Sequence, residues 1–254
     1  MLQISFLLFV VLLGSASEGP AHAADSMEQI LSRLHAPADP ELARILVPAS
    51  RDLLIRMPEP TPAEAQTRNE AKLKEAREIL WARPNLAPGR ESIKEEEAKE
   101  IFEAIRVHPV ATLSALPKYD PLALMKLCYG RAMAVQLEAV IARGVAADSV
   151  RKVWAVGNLT AKWATNFHVA AMIKGPAGEW FVIDLNQDGP MKLPDWFAQI
   201  KRIDNTQRPN LEILFTDGDR LLERRNQVYS PELLRISQWR GYFVELIDSY
   251  ASKP

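Results

Sequence analysis

Only one of the 254 residues is cysteine, Cys128. An intramolecular disulfide is therefore excluded, and so is a zinc site built on several thiolates. Charge of one sign is equally scarce. The sequence has 31 Lys and Arg against 32 Asp and Glu, a formal net charge of -1. That balance gives no electrostatic case for binding nucleic acid or an anionic membrane. Histidine is limited to four isolated residues, so metal-ligand spacing is missing and no cofactor is implied. Gly175-Pro176-Ala177-Gly178 lacks the lysine and the spacing of a phosphate-binding loop. There is no serine nucleophile elbow and no internal repeat. Asp217-Gly218-Asp219 resembles a fragment of a calcium loop without the remaining acids, and reads as a turn. Asn158-Leu159-Thr160 fits a glycosylation sequon that is too short to weigh alone.

What is present is ordinary for a globular chain: 48% hydrophobic and 25% charged residues. The length fits one or two domains. Residues 5–13 form an apolar run, well short of the roughly 20 residues a membrane span needs. Glu18-Gly19-Pro20 breaks any helix there, and Ala21-His22-Ala23 supplies the small-x-small pattern of a signal-peptidase site. Residues 1–23 therefore read as a signal peptide, although no Lys or Arg precedes the run. The mature chain is expected to be exported, periplasmic or secreted, with no membrane attachment after cleavage.

The remainder divides into two parts. Residues 24–110 are proline-punctuated and helical in pattern. Helices are expected over 27–35, 41–57, 63–81 and 91–106, the last burying Ile93, Ala98, Ile101, Phe102 and Ile105. The Lys94 to Lys99 charge run reads as a solvated helix face. Residues 111–254 change to mixed α and β. A helix pattern covers 122–143 and ends at Gly144, a good C-cap. Strands are expected over 151–156, 166–174, 179–184 and 211–215, and a closing helix over 231–250.

Three residues in this second part carry the chemistry. Cys128 would be biased toward thiolate if it opened a helix. Asp120-Pro121, itself a strong helix start, would instead place it two turns in. A break near Lys126-Leu127 resolves the conflict in favour of the first arrangement. A buried structural cysteine is the commoner reading of such a residue. His168 lies on the expected strand 166–174, where a half-buried packing role is common. Asp184 ends the next strand, either as a turn former or as a carboxylate that orients an imidazole. His168 and Asp184 share a face only if the connecting loop is odd. A three-residue loop, 175–177, with Gly178 left-handed, sets them directly opposite each other.

The order Cys128-Tyr129-x-Arg131-Ala132, Phe167-His168-Val169-Ala170, Val182-Ile183-Asp184, then Pro190 and Trp196, resembles bacterial protein-glutaminase. The resemblance covers about residues 125–200 and rests on order and spacing rather than on any one block. It implies an α+β fold related to papain-like and transglutaminase-like cysteine enzymes. An antiparallel sheet would pack on the Cys-bearing helix in a catalytic domain spanning 111–254, and residues 24–110 would stand where the family carries a pro-segment. The implied catalytic residues are Cys128, His168 and Asp184. The implied reaction is hydrolysis of glutamine side chains in proteins or peptides through a thioester. Three positions depart from the family pattern. Lys126-Leu127 replaces an Asp-Gly-like pair, Met133 stands where a His commonly follows, and Leu185 stands where a Pro is usual.

An oxyanion hole would use the Cys128 N–H and a second donor, for which Asn166 and Trp163 are neighbours in sequence. The same triad also serves cysteine peptidases and transglutaminases. A non-catalytic periplasmic binding or scaffold protein, with 24–110 as its interaction surface, is the alternative from a different class.

Overall fold

The computed structural model describes residues 25–37, 39, 42, 60–122, 126–157, 159, 167–203, 211–221, 228–236 and 240–251. The signal peptide, the helix expected over 41–57 apart from Leu42, the sequon residues Asn158 and Thr160, and Trp163 and Asn166 lie outside them.

The first helix, α1 (Met27–Leu34), starts at a capping box between Ser26 and Gln29 and buries Ile30, Leu31 and Leu34. Thr61 and Glu64 form a second capping box for α2 (Pro62–Glu75), which runs on into a π-helical turn, Ala76–Leu80. Helix α3 (Glu95–Arg106) starts later than the expected 91. The preceding residues are held elsewhere: Ser149 Oγ donates to the Glu91 carbonyl at 2.6 Å, and the Ile93 N–H donates to the Lys174 carbonyl at 2.9 Å. A short helix, α4 (Leu116–Tyr119), ends at Asp120. Helix α5 (Cys128–Leu137) continues as a π-helical turn, Glu138–Ala142, and left-handed Gly144 follows at φ 66°. The pattern over 122–143 is thus interrupted, and its helix starts at Cys128.

Among the described residues, five antiparallel strands follow: β1 (Val150–Val156), β2 (Phe167–Lys174), β3 (Trp180–Ile183), β4 (Met191–Lys192) and β5 (Glu212–Asp217), in the order β4-β3-β2-β1-β5. Strand β4 and the helix after it, α6 (Leu193–Ile203), are additions to the sequence reading. The closing region holds α7 (Pro231–Ile236) and α8 (Arg240–Ala251). The fold is a mixed one, with helices on both faces of an antiparallel sheet.

Alternation along the strands divides the core in two. Val150, Trp154, Val169, Ala171, Ile173, Phe181 and Ile183 pack in one cluster with α1, α3, α5 and α8. Val153, Ala155, Ala170, Met172, Val182 and Phe215 pack in the other with Leu80 and with Trp196, Phe197 and Ile200 of α6. Every residue of α5 is buried, as expected of a helix enclosed on all sides. Gly130 allows the close approach of Tyr242, since a Cβ there would lie 2.5 Å from its ring. At the β5 edge, Asn69 of α2 acts like a short strand. Its Nδ2 donates to the Leu211 carbonyl at 2.7 Å, and its Oδ1 accepts the Ile213 N–H at 2.8 Å.

Candidate active site

Cys128 owes its position to the turn before it. Lys126 has φ 57° and Leu127 has φ 47°, two consecutive left-handed residues with side chains. Such a conformation costs roughly 1–2 kcal/mol per residue and persists only where its surroundings hold it. Asp120 Oδ2 accepts the Lys126 N–H at 2.8 Å, and an Arg131 guanidinium nitrogen donates to the Lys126 carbonyl at 2.6 Å. The first helical bond runs from the Arg131 N–H to the Leu127 carbonyl at 3.0 Å. Cys128 is thus the first helical residue, and its N–H stands outside the intrahelical ladder.

His168 and Asp184 come from adjacent strands. The register pairs Lys174 with Trp180 and Ala171 with Ile183, so the loop is 175–179, with Gly178 at φ 91°. The expected three-residue loop is therefore corrected to five residues, closed by the Gly175 N–H on the Glu179 carbonyl at 2.9 Å. The loop remains odd, so the shared face survives. One further step along the register sets Asp184 against Ala170, and His168 becomes its diagonal neighbour. His168 Nε2 lies 2.7 Å from Asp184 Oδ2.

The triad reading expects His168 to face the Cys-bearing helix, with Phe167, Val169 and Ala171 against apolar neighbours; β2 is turned the other way. Phe167, Val169 and Ala171 point toward the α5 layer, whereas His168 shares its face with Ala170 and Met172 and lies over Trp196 of α6, with ring centroids 6.1 Å apart. The imidazole meets α5 only because both lie at the start of their elements. The imidazole and the Val169 N–H both favour the charged form of the Cys128 thiol. With Nε2 on Asp184, Nδ1 is the nitrogen left for the thiol.

Asp184 is heavily solvated by the protein. Oδ2 also accepts the Trp196 indole N–H at 2.9 Å, and Oδ1 accepts the Asn186 backbone N–H at 3.1 Å and its side-chain amide at 3.2 Å. Burial works against its charge, but the His168 charge and hydrogen bond, then Trp196 and Asn186, hold its pKa down to about 2. Burial likewise disfavours imidazolium, yet Asp184 and Cys128 raise His168 to about 9. For Cys128, burial opposes ionisation. The His168 hydrogen bond and charge, Arg131 and the Val169 N–H more than offset it, so its pKa falls below the ordinary 9.0. The three side chains together form a buried imidazolium between two acids.

Asp120, Trp196 and Asn186 contribute contacts to which the sequence reading assigned no role. The spacing of Leu193, Trp196, Phe197 and Ile200, with Pro194 in the first turn, is a helix signal that would have placed the indole. Lys152, on the α5 side of β1, is a further buried group. Its Nζ donates to the Arg220 carbonyl and the Tyr229 hydroxyl, each at 2.5 Å, and burial pushes its pKa down to about 7 despite Asp219 and Cys128.

The remaining candidates are engaged structurally. His35 Nδ1 pairs with Asp219 Oδ2 at 2.5 Å, and Asp217 pairs with Arg151. His108 Nδ1 accepts the Val110 and Ala111 N–H groups, so its Nε2 carries the proton toward Ser249 and the ring is no base for that hydroxyl. Among the described residues, no cluster of three or more metal-ligating side chains occurs, and no helix is long and apolar enough to cross a membrane.

No protein-family model matches the chain, and no curated protein matches it. Two of the solved structures similar to it in chain path are forms of one enzyme. One is the crystal structure of protein-glutaminase, at 20% identity and TM-score 0.40, over 57% of this chain and 85% of that one. The other is the crystal structure of pro-protein-glutaminase, at 17% identity and TM-score 0.42, over 77% of this chain and 69% of that one.

Proposed function

We propose that the chain is an exported thiol amidohydrolase in which Cys128, His168 and Asp184 deamidate glutamine side chains of proteins or peptides. The observation that carries this reading is a buried imidazole held by the Asp184 carboxylate at 2.7 Å and acting on the Cys128 thiol to lower its pKa. The choice of glutamine rests on the ordered sequence resemblance, and export rests on residues 1–23.

The chemistry follows from the charges. The Cys128 thiolate attacks the side-chain carboxamide carbon, and the carbonyl oxygen becomes an oxyanion at the Cys128 N–H. The C–N bond breaks as the His168 imidazolium gives its proton to the leaving nitrogen, releasing ammonia and leaving a thioester. Neutral His168 then takes a proton from water, hydroxide adds to the thioester carbon, and the C–S bond breaks. The product carboxylic acid and the thiolate–imidazolium pair result, and the acid ionises to glutamate by releasing its proton to solvent. Asp184 keeps its charge throughout and holds the ring in one orientation.

The test is ammonia release from a glutamine-rich protein, compared with Cys128→Ala. Conversion of glutamine to glutamate without chain cleavage, abolished in the variant, supports the reading. Shortened chains indicate a peptidase, and incorporation of an added amine indicates a transglutaminase. No turnover together with an iodoacetamide-inert Cys128 indicates a scaffold.

A further inference from the structure

The sequence around Cys128 is compatible with two helices. One starts at Asp120-Pro121, runs through 122–143, and places Cys128 two turns in, where its N–H bonds to a preceding carbonyl. The other starts at Cys128, as observed. The difference lies in Lys126 and Leu127, whose left-handed conformation halts the first helix and starts the second. Both peptide groups of Lys126 are held, the N–H by Asp120 and the carbonyl by Arg131. Asp120 is itself anchored: its N–H bonds to the Leu116 carbonyl at 2.8 Å, and α4 is tied to α8 through Lys118 and Tyr119 on Glu245. Arg131 is buried one turn into α5.

We infer that Asp120 and Arg131 are positioning residues that hold the Lys126–Leu127 turn left-handed and thereby fix where the Cys128 sulfur meets His168 and the Val169 N–H. The inference rests on the thiol reading of the site but not on the identity of the substrate. Neither residue touches the reacting atoms. A purely electrostatic role predicts a different result: removing the Asp120 carboxylate would leave the thiolate unchanged or favour it, because an anion nearby disfavours a second one. Loss of the turn predicts the reverse.

The experiment measures iodoacetamide alkylation of Cys128 against pH in the full chain, with circular dichroism to report folding. Asp120→Ala is expected to move the alkylation profile to higher pH by about one unit, a tenfold loss of rate on its rising limb. Arg131→Met is expected to act in the same direction. Adding Lys126→Gly should restore much of the wild-type profile in both, because glycine adopts the left-handed conformation without a Cβ penalty and disfavours the continuous helix. That rescue separates the two roles of Arg131, since glycine cannot replace a lost charge.

A folded Asp120→Ala that alkylates like wild type overturns the inference, as does failure of Lys126→Gly to restore either variant. Should Asp120→Ala not fold, Arg131→Met with and without Lys126→Gly decides by the same criterion. A wild-type thiol no more reactive than a free one near pKa 8.5 defeats both this inference and the proposed function. Normal alkylation shifts without ammonia release from glutamine defeat only the function.

Discussion

Trp196 gives its indole N–H to the Asp184 oxygen that also holds His168, and its ring lies against the face of that imidazole. One residue of α6 thus constrains both the carboxylate and the imidazole. Trp196→Phe keeps an aromatic ring and removes the donor. Ammonia release should fall about tenfold, corresponding to a hydrogen bond worth roughly 1.4 kcal/mol in the transition state. Steady-state kinetics check this, with kcat falling and KM nearly constant.

Asp184→Asn removes the charge that raises His168. The proposed turnover should drop about 10³–10⁴-fold, the scale at which an orienting carboxylate acts in a serine triad. The alkaline limb of the pH–rate profile, set by loss of the imidazolium proton near 9, should move to lower pH. Stability follows the same pair. The raised His168 stabilises the fold fully below about 6.5, and this contribution is lost as pH rises through about 9. The depressed Asp184 stabilises it above about 3.8, and this contribution is lost as pH falls toward about 2. The advantage of wild type over the variant should therefore be largest between these limits, as read from urea unfolding at stepped pH.

Lys152 has the opposite sign. Its folded pKa of about 7 lies below the ordinary 10.5, so the unfolded chain binds the proton more tightly between those values. As pH falls from about 10 to about 7, wild type should lose stability relative to Lys152→Met, and the difference should level off below about 7. The slope is the prediction; its offset depends on the Arg220 carbonyl and Tyr229 hydroxyl left without their donor. Chemical denaturation of both proteins across that range measures it.

Removal of residues before about 110 should unfold the protein rather than activate it. Leu34, Ile101, Phe102 and Ile105 are buried in the same cluster as the helix that carries Cys128. Phe102→Ala alone should cost about 3–5 kcal/mol. Limited proteolysis followed by circular dichroism distinguishes the outcomes. A trimmed chain that stays folded and becomes more active would instead make residues 24–110 an inhibitory pro-segment.

Local chemistry made much of this architecture readable. The alternation of Phe167, Val169 and Ala171 identified β2, and the apolar spacing of Ile101, Phe102 and Ile105 identified α3. The conflict between Asp120-Pro121 and Cys128 pointed to the break at Lys126-Leu127. Less readable was whatever depends on partners distant in sequence. The loop length after Lys174 is set by the pairing of β2 with β3, so parity was accessible and the residue count was not. The direction of His168 depends on which helix layer each sheet face meets. Asp120, 11 residues before Arg131, meets Lys126 only through the path of the intervening chain.

The edges of the sheet bear on what can pair with it. At β5, Asn69 takes the Leu211 carbonyl and the Ile213 N–H, while Arg68 pairs with Glu212 between them. At the opposite edge, β4 is two residues long, below the usual length of a strand. An incoming chain cannot extend the sheet beside residues 211–213 without evicting α2. The β5 edge is thereby closed to strand addition over these residues, which guards the sheet against edge-to-edge pairing with another chain.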